Sequence, residues 1–426
     1  MTNHRSMSSA RRIARTGMAV LAASLGSGVL TACSTLLEAD APSRILESTL
    51  LVPSNAPVIV AGAVADFECA FGNFILTGGT VADEFSDSQA NAATWDIDRR
   101  TNIPSSALYS TGACNGFGVY TPISTARFQA DQAIKLLEKW TDAEVTGRTT
   151  LIARAAAYAG YSYIMMGEMF CSAAFDLGPE LQPAAVFALA EQRFTRAIDT
   201  PGVPSDIKTM ALVGRARARI NLGKKAEAAA DAGQVPDGFV FTAKTTAAAG
   251  RAENRLFRFN NTNGTITVDS TFRGLTVNGV PDPRVPVVDA GRGGSMPTVR
   301  LWTQQKYKAL TDVLPIATWR EARLIQAEAA GGQTAVGLIN ALRARAGVNL
   351  APFASTVETA IQAQVQEERR RELFVEGHRL YDTIRFNVPL KPAVGAAFPN
   401  GGGTYGANKC LPLPDVERLN NPSIGG

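Results

Sequence analysis

The sequence predicts a mainly α protein made of antiparallel helical pairs, interrupted by a loop- and hairpin-rich insertion. Three observations carry this. Between residues 125 and 232, apolar side chains recur three and four positions apart in successive segments, the period of a helix with one buried face. From 233 to about 310 that period gives way to short β-type runs broken by Asn-Gly pairs and prolines. From Trp319 onward the helical spacing returns.

The first 32 residues are read apart from the fold. Arg5, Arg11, Arg12 and Arg15 precede an apolar stretch from Gly17 to Leu30, and Leu30-Thr31-Ala32-Cys33 follows. This resembles a bacterial lipoprotein signal with Cys33 as the lipidated residue. The apolar stretch is too short to span a bilayer, which takes about 20 residues. Ser34 rather than Asp follows the cysteine, and in the lipoproteins this resembles, that choice goes with sorting to the outer membrane; two or more acyl chains then give stable anchoring. The expected organisation is a signal peptide over 1–32, a lipidated tether over 33–57 and one domain over 58–426. The domain divides into a helical repeat half (58–232), an insertion (233–310) and C-terminal helices with a tail (311–426). No later stretch reads as long and apolar enough to cross a membrane.

The formal charge of +4 equals the four leader arginines, so the rest of the chain is neutral overall. No basic field or lysine stripe remains to attract nucleic acid. With 46% hydrophobic residues, the chain can bury a substantial core.

Element by element, Ala126, Ala130, Ala133, Leu137 and Trp140 form one stripe in a helix over Thr125 to Ala143. The next helix carries two stripes, through Ile152, Ala156, Ala159, Tyr163, Met166 and Phe170 and through Leu151, Ala155, Tyr158, Ser162, Met165 and Met169. A helix apolar on two faces packs between neighbours. Phe187, Ala190, Phe194 and Ala197 mark a third helix, and Ala211, Gly214, Ala218 and Leu222 a fourth, whose small residues allow close backbone approach. After Gly223 an alanine-rich helix runs from Lys224 to Ala232. The run from Ala211 to Ala232 resembles the tetratricopeptide pattern of paired helices; a plain helical bundle is the alternative. In the insertion, β-type runs fall at Leu256 to Phe259, Thr265 to Val268, Leu275 to Val277 and Thr298 to Trp302. Helices resume through Trp319, Ala322, Ile325 and Ala329, then through Ala335, Leu338, Leu342 and Ala346 with Gly347 placed as a cap. A last long helix reaches about Ile384.

That last helix contains Glu367-Glu368-Arg369-Arg370-Arg371-Glu372-Leu373-Phe374-Val375-Glu376-Gly377-His378-Arg379-Leu380-Tyr381-Asp382, which resembles the signature of the SusD/RagB family of outer-membrane nutrient-binding lipoproteins. Gln326-Ala327-Glu328-Ala329, the run from Ile339 to Gly347 and the closing Leu413-Pro414 to Asn421-Pro422 fall in the order this family shows. The resemblance implies a SusD-like α superhelix. It further implies a surface protein that captures a glycan or other oligomer and passes it to a SusC-type TonB-dependent barrel in the outer membrane. One segment departs from the pattern: where the family usually has Phe-Gly-Asp and a proline, this chain has Phe170-Cys171-Ser172-Ala173-Ala174-Phe175-Asp176. Within the signature, Glu367, Arg371, Glu372, Glu376, Gly377, Arg379 and Asp382 read as a structural network. Glu367 with Arg371 and Glu376 with Arg379 stand at ion-pair spacing on a helix.

Beyond Cys33, the cysteines Cys69, Cys114, Cys171 and Cys410 make an even number in an exported chain, and four thiols allow three pairings. Cys69 with Cys114 and Cys171 with Cys410 is the expected set, the first closure being worth on the order of 4 kcal/mol on loop entropy. Wide spacing without Cys-x-x-Cys argues against zinc.

No enzyme, cofactor or catalytic metal is expected. Past the leader the one histidine is His378, so no histidine cluster or catalytic triad can form. The glycine runs Gly291 to Gly294 and Gly401 to Gly403 lack the lysine and hydroxyl of a phosphate loop and read as mobile loops. A binding site for sugar needs aromatic faces flanked by hydrogen-bonding side chains. The candidates are Phe85 and Trp95 with Asp83, Asp96, Arg99 and Arg100 in the polar loop before Thr101, and Trp302 and Tyr307 near the end of the insertion. Trp140 and Trp319 lie on helical stripes and are assigned to the core. The alternatives are a helical adaptor that binds protein partners in a concave groove and a glycosidase using two of the carboxylates among Asp83, Glu84, Asp87, Asp96 and Asp98.

Overall fold

The computed structural model describes residues 50–112, 114 and 116–424; Cys33 and the leader lie outside them. The unit from Leu51 onward is predominantly helical. Its helices are α1 (Ala56–Val81), α2 (Tyr120–Lys139), α3 (Arg148–Met169), α4 (Pro183–Asp199), α5 (Ser205–Asn221), α6 (Lys225–Gly233), α7 (Trp319–Ala330), α8 (Gly332–Ala344), α9 (Glu358–Glu372) and α10 (Arg379–Arg385). Consecutive helices from α2 to α6 pack on one another, as antiparallel neighbours do, and α1 packs on α2 across the long segment that carries the strand Phe85–Asp87.

α1 begins with Pro57 in its first turn, where the missing N–H costs nothing. It corrects one expectation: the stretch Pro53–Val81 is long and apolar enough to cross a membrane, but 56% of its apolar window is buried in the protein. From Phe67 to Val81 nearly every face is covered, so it is a core helix. α3 is its counterpart, buried on both predicted stripes. Polar anchors hold α3 in register: Tyr161 donates to Met210 O at 3.0 Å and Tyr163 to Asp131 at 2.7 Å. Arg217 of α5 closes on Glu168 in a bidentate pair.

Small residues in α3 and α5 make room for one ring. Phe194 of α4 is fully buried and stacks edge-on to Tyr161 at 4.9 Å. A Cβ added to Gly160 would lie 2.6 Å from that ring, and one on Gly214 would lie 2.3 Å from it.

The strands are β1 (Phe85–Asp87), β2 (Val240–Ala243), β3 (Ile266–Val268), β4 (Thr276–Val277), β5 (Val280–Pro281), β6 (Val287–Gly293), β7 (Arg300–Gln304) and β8 (Leu314–Thr318). They form antiparallel pairs β1–β3, β2–β8, β4–β5 and β6–β7. Thr267 of β3 joins two of these pairs, donating to Arg300 O at 3.0 Å and accepting from Trp302 N–H at 2.8 Å. Leu256 to Phe259 is not a strand: a wide helical turn spans Phe257–Thr262, placing Asn260 to donate to the carbonyls of Ile266 and Trp302.

The signature is not one helix. α9 ends at Glu372 and α10 starts at Arg379, with Val375 at φ 52° and Gly377 at φ 81° between them. Glycine is required at 377, since a Cβ there would sit 2.7 Å from the Phe74 ring. α8 ends at Ala344, so Gly347 (φ 80°) turns the chain beyond the cap position. Two disulfides, Cys69–Cys114 and Cys171–Cys410, have Cα atoms 5.6 and 5.2 Å apart.

Candidate functional site

Of the candidate side chains in the loop after α1, three stay partly exposed and the others are buried. β1 sets its start, pairing Phe85 with Val268 and Asp87 with Ile266. Phe85 is 1% exposed and belongs to the core; it is not available to a ligand, correcting its assignment. Asp83 is corrected likewise. It is buried and receives Nε and Nη2 of Arg379 at 2.6 and 2.7 Å, which uses both oxygens.

Two acids fold the loop back on itself. Asp98 accepts from Asp87 N–H at 2.7 Å. Asp87 accepts from Gln89 N–H at 2.7 Å and from the Thr94 hydroxyl at 3.1 Å. Burial pushes Asp87 up to about 6 and Asp98 up to about 8, because a low-dielectric surrounding disfavours the charged form. Arg100, in left-handed conformation at φ 57°, turns inward and donates to the carbonyls of Lys391, Pro392 and Gly406. It holds the C-terminal loop rather than a ligand.

Of the candidates, Trp95, Asp96 and Arg99 remain partly exposed, on and beside a one-turn helix (Asp96–Arg99). The indole N–H of Trp95 donates to Gln89 O at 2.9 Å, and its ring lies 5.6 Å from that of Phe398. Arg99 donates to Asp96 at 2.5 Å and to Gly402 O; their side chains keep 20% and 35% exposure. Thr101 fixes the same Asp96 oxygen at 2.6 Å. A fixed, partly exposed indole thus stands beside a carboxylate and a guanidinium. Sequence reasoning missed Phe398 and Gly402. The usable signal was the Gly401 to Gly403 run, an exposed turn that lies against the indole at Gly402, where a Cβ would come 3.3 Å from the Trp95 ring.

Trp302 is supported elsewhere. It sits on β7 opposite Asp289, partly exposed, with the Arg273 guanidinium 5.1 Å from its ring centroid. Tyr307 is core: it is 4% exposed and donates to Val375 O at 3.2 Å, which corrects its assignment to the site.

The signature charges interlock. Glu367 pairs with Arg371 at 2.6 Å. Glu372 receives Arg320 and Arg345, and Asp382 receives Arg369 and Arg385 at 2.9 Å each. Glu376 does not meet Arg379: the turn at Gly377 separates them, and Glu376 pairs instead with Lys306 and Arg320 at 2.6 and 2.8 Å. Glu84 accepts from Val375 N–H at 2.7 Å and burial pushes it up to about 7. His378 is buried, with its pKa pushed far down by desolvation and by Arg217 and Arg369. Among the described residues no cluster of three or more metal-ligating side chains occurs.

Residues 321–410 match the model of the SusD family. Over those residues the chain is similar to the SusD family. Solved structures share its fold across nearly their whole length. A SusD superfamily protein from Bacteroides fragilis has TM-score 0.68 at 14% identity, covering 88% of this chain and 99% of its own. A putative sugar binding protein from Bacteroides vulgatus has TM-score 0.67 at 16% identity, covering 87% and 97%. A SusD-like carbohydrate binding protein from Bacteroides vulgatus has TM-score 0.67 at 15% identity, covering 88% and 97%. No curated protein sequence matches.

Proposed function

We propose that this chain is a SusD/RagB member that binds an oligosaccharide at the Trp95 surface and hands it, without covalent chemistry, to a TonB-dependent barrel of the SusC type. The carrying observation is the indole of Trp95, held by Gln89 and Phe398 next to Asp96 and Arg99. That combination suits a sugar ring, whose apolar face stacks while its hydroxyls bond to the charged groups. Two proteins of the same fold carry sugar- or carbohydrate-binding names. The acids that a glycosidase would draw on support binding over hydrolysis: Asp83 is held by Arg379, and Asp87 and Asp98 are buried within the loop. The basic leader and Cys33 support a lipid anchor at the outer membrane, facing the exterior.

Screening the purified mature chain on a glycan array tests the reading. Saturable binding of one glycan class, with no release of reducing ends, is expected. Binding to no glycan overturns it. Mass spectrometry of the native protein should find acylated Cys33 as the first residue.

A further inference from the structure

The ion network at the end of α9 borders a pocket of about 230 Å³, lined by Arg284, Lys306, Arg320 and Arg345 around Glu372. Separate stretches of chain bring the cations there. Lys306 follows β7, Arg320 stands in the first turn of α7, and Arg345 follows the last residue of α8. Buried carboxylates draw them in. Arg345 takes both oxygens of Glu372, at 2.8 and 2.6 Å. Arg320 spans Glu372 and Glu376, at 3.2 and 2.8 Å, and Lys306 pairs with Glu376 at 2.6 Å.

Lys306, Arg320 and Arg345 thus share two carboxylates, one fewer than their own charge. Arg284 has its own partners, Asp282 and Glu368. Exposure is lopsided in the same sense. The side chains of Lys306, Arg320 and Arg345 are 18%, 17% and 21% exposed, whereas those of Glu372 and Glu376 are 0% and 1% exposed. A solute entering the pocket therefore meets positive charge, with the acids behind it. The Nε–H of Arg320 and of Arg345 donates to nothing among the described residues, so guanidinium donors are left for a guest. Burial and the nearby Arg320 also lower the Lys306 pKa against the pull of Glu376, a repulsion that an added negative charge offsets.

We infer that this pocket binds a tetrahedral oxyanion, a phosphate or sulfate group, either free or as a monoester. Guanidinium groups match the oxygens of such anions with paired N–H donors. Three cationic heads call for a guest with at least three oxygens, which a carboxylate lacks. The volume lies below the about 300–1,000 Å³ of drug-sized ligand sites, so it suits one small group. Pro283, Pro286 and Val348 complete the lining and give the carbon of an ester an apolar wall.

The test is isothermal titration of the purified mature chain with inorganic phosphate, inorganic sulfate, glucose 6-phosphate, glucose 6-sulfate and acetate. One equivalent of phosphate or sulfate, free or esterified, is expected to bind with a Kd at or below about 1 mM, and acetate at least about tenfold more weakly. Tighter binding of the esters assigns the site to a monoester; equal binding assigns it to the free ion. Val348→Glu adds a carboxylate to the lining without touching the ion network and should weaken binding at least about tenfold. Val348→Gln, of the same size and neutral, should retain it. Arg345→Gln, checked for folding by its melting curve, should weaken binding as well. Saturation by none of the phosphate and sulfate probes, acetate binding as tightly as phosphate, affinity indifferent to Val348→Glu, or an equal loss with Val348→Gln would each overturn the inference. The inorganic probes contain no sugar, so their result stands whatever the Trp95 surface binds.

Discussion

Arg379 grips both carboxylate oxygens of Asp83, at 2.6 and 2.7 Å, across a sequence separation of 296. The pair ties α10 to the loop that goes on to carry Trp95, so the run from Glu367 to Asp382 anchors the start of the candidate site. Both side chains are below a tenth exposed, and removing either partner strands a buried charge at a cost of about 3–5 kcal/mol. Arg379→Ala and Asp83→Asn are each expected to lower the urea midpoint. The double variant should lose less than the sum, because the two groups act as one. Additive losses in that cycle would contradict the pairing.

The two loop acids make stability depend on pH. Asp87 and Asp98 have folded pKa values near about 6 and about 8, raised above 3.8 by burial. Their contribution is fully present below the unfolded value and is lost as pH rises through the folded values, since the folded chain then gives up protons it holds more tightly. Asp98→Asn keeps an acceptor for Asp87 N–H and cannot ionise. At pH 8.5 the variant should be more stable than the parent by on the order of 1 kcal/mol, with the gap closing toward pH 4. Thermal melts across that range read the difference, and a constant gap would remove Asp98 as the cause.

Helical spacing made α2 to α8 legible, because each has a buried stripe that must recur every three or four residues. α1 escaped the same reasoning: it is apolar on nearly all faces, so it has no stripe to stand out, and only packing distinguishes it from a membrane span. The signature run kept its helical period through Phe374 and Tyr381, which hid the turn at Val375 and Gly377. At that turn Gly377 lies so close to Phe74 that no Cβ fits, a tertiary constraint that local period does not carry. For the site, exposure was the illegible quantity. Phe85 and Trp95 are both aromatic residues in a polar loop; pairing with β3 buries the first, while the second rests on a C-terminal glycine turn some 300 residues away in sequence. No local pattern in the chain encodes that distant support.

Gly214→Ala tests the packing of α4 against α3 and α5. The added methyl would sit 2.3 Å from the Phe194 ring, and the ring cannot retreat because Gly160 of α3 and Tyr161 crowd its other sides. Overpacking of this kind costs about 1–3 kcal/mol. Calorimetry should show the loss, and Phe194→Leu in the Gly214→Ala background should recover part of it. A neutral Gly214→Ala would mean the helices separate freely at this crossing.

Trp95→Ala separates a binding surface from a satellite core. If the indole stacks on a sugar ring, its removal costs about 1.5 kcal/mol of binding, the order of an aromatic pair, or about tenfold in Kd. Its structural contacts are one hydrogen bond to Gln89 and one tilted ring contact with Phe398, so the melting temperature should move by little. Arg99→Ala should weaken binding as well, since it removes a donor from the rim and frees the Gly402 carbonyl. Phe85→Ala is the contrast: with its ring in the core, it should cost about 3–5 kcal/mol of stability. Isothermal titration with the glycan found by the array, run beside melting curves for all three variants, decides the matter. A Trp95→Ala protein that binds normally but melts far lower would move Trp95 to the core, and the sugar surface would have to be sought around Trp302 and Arg273.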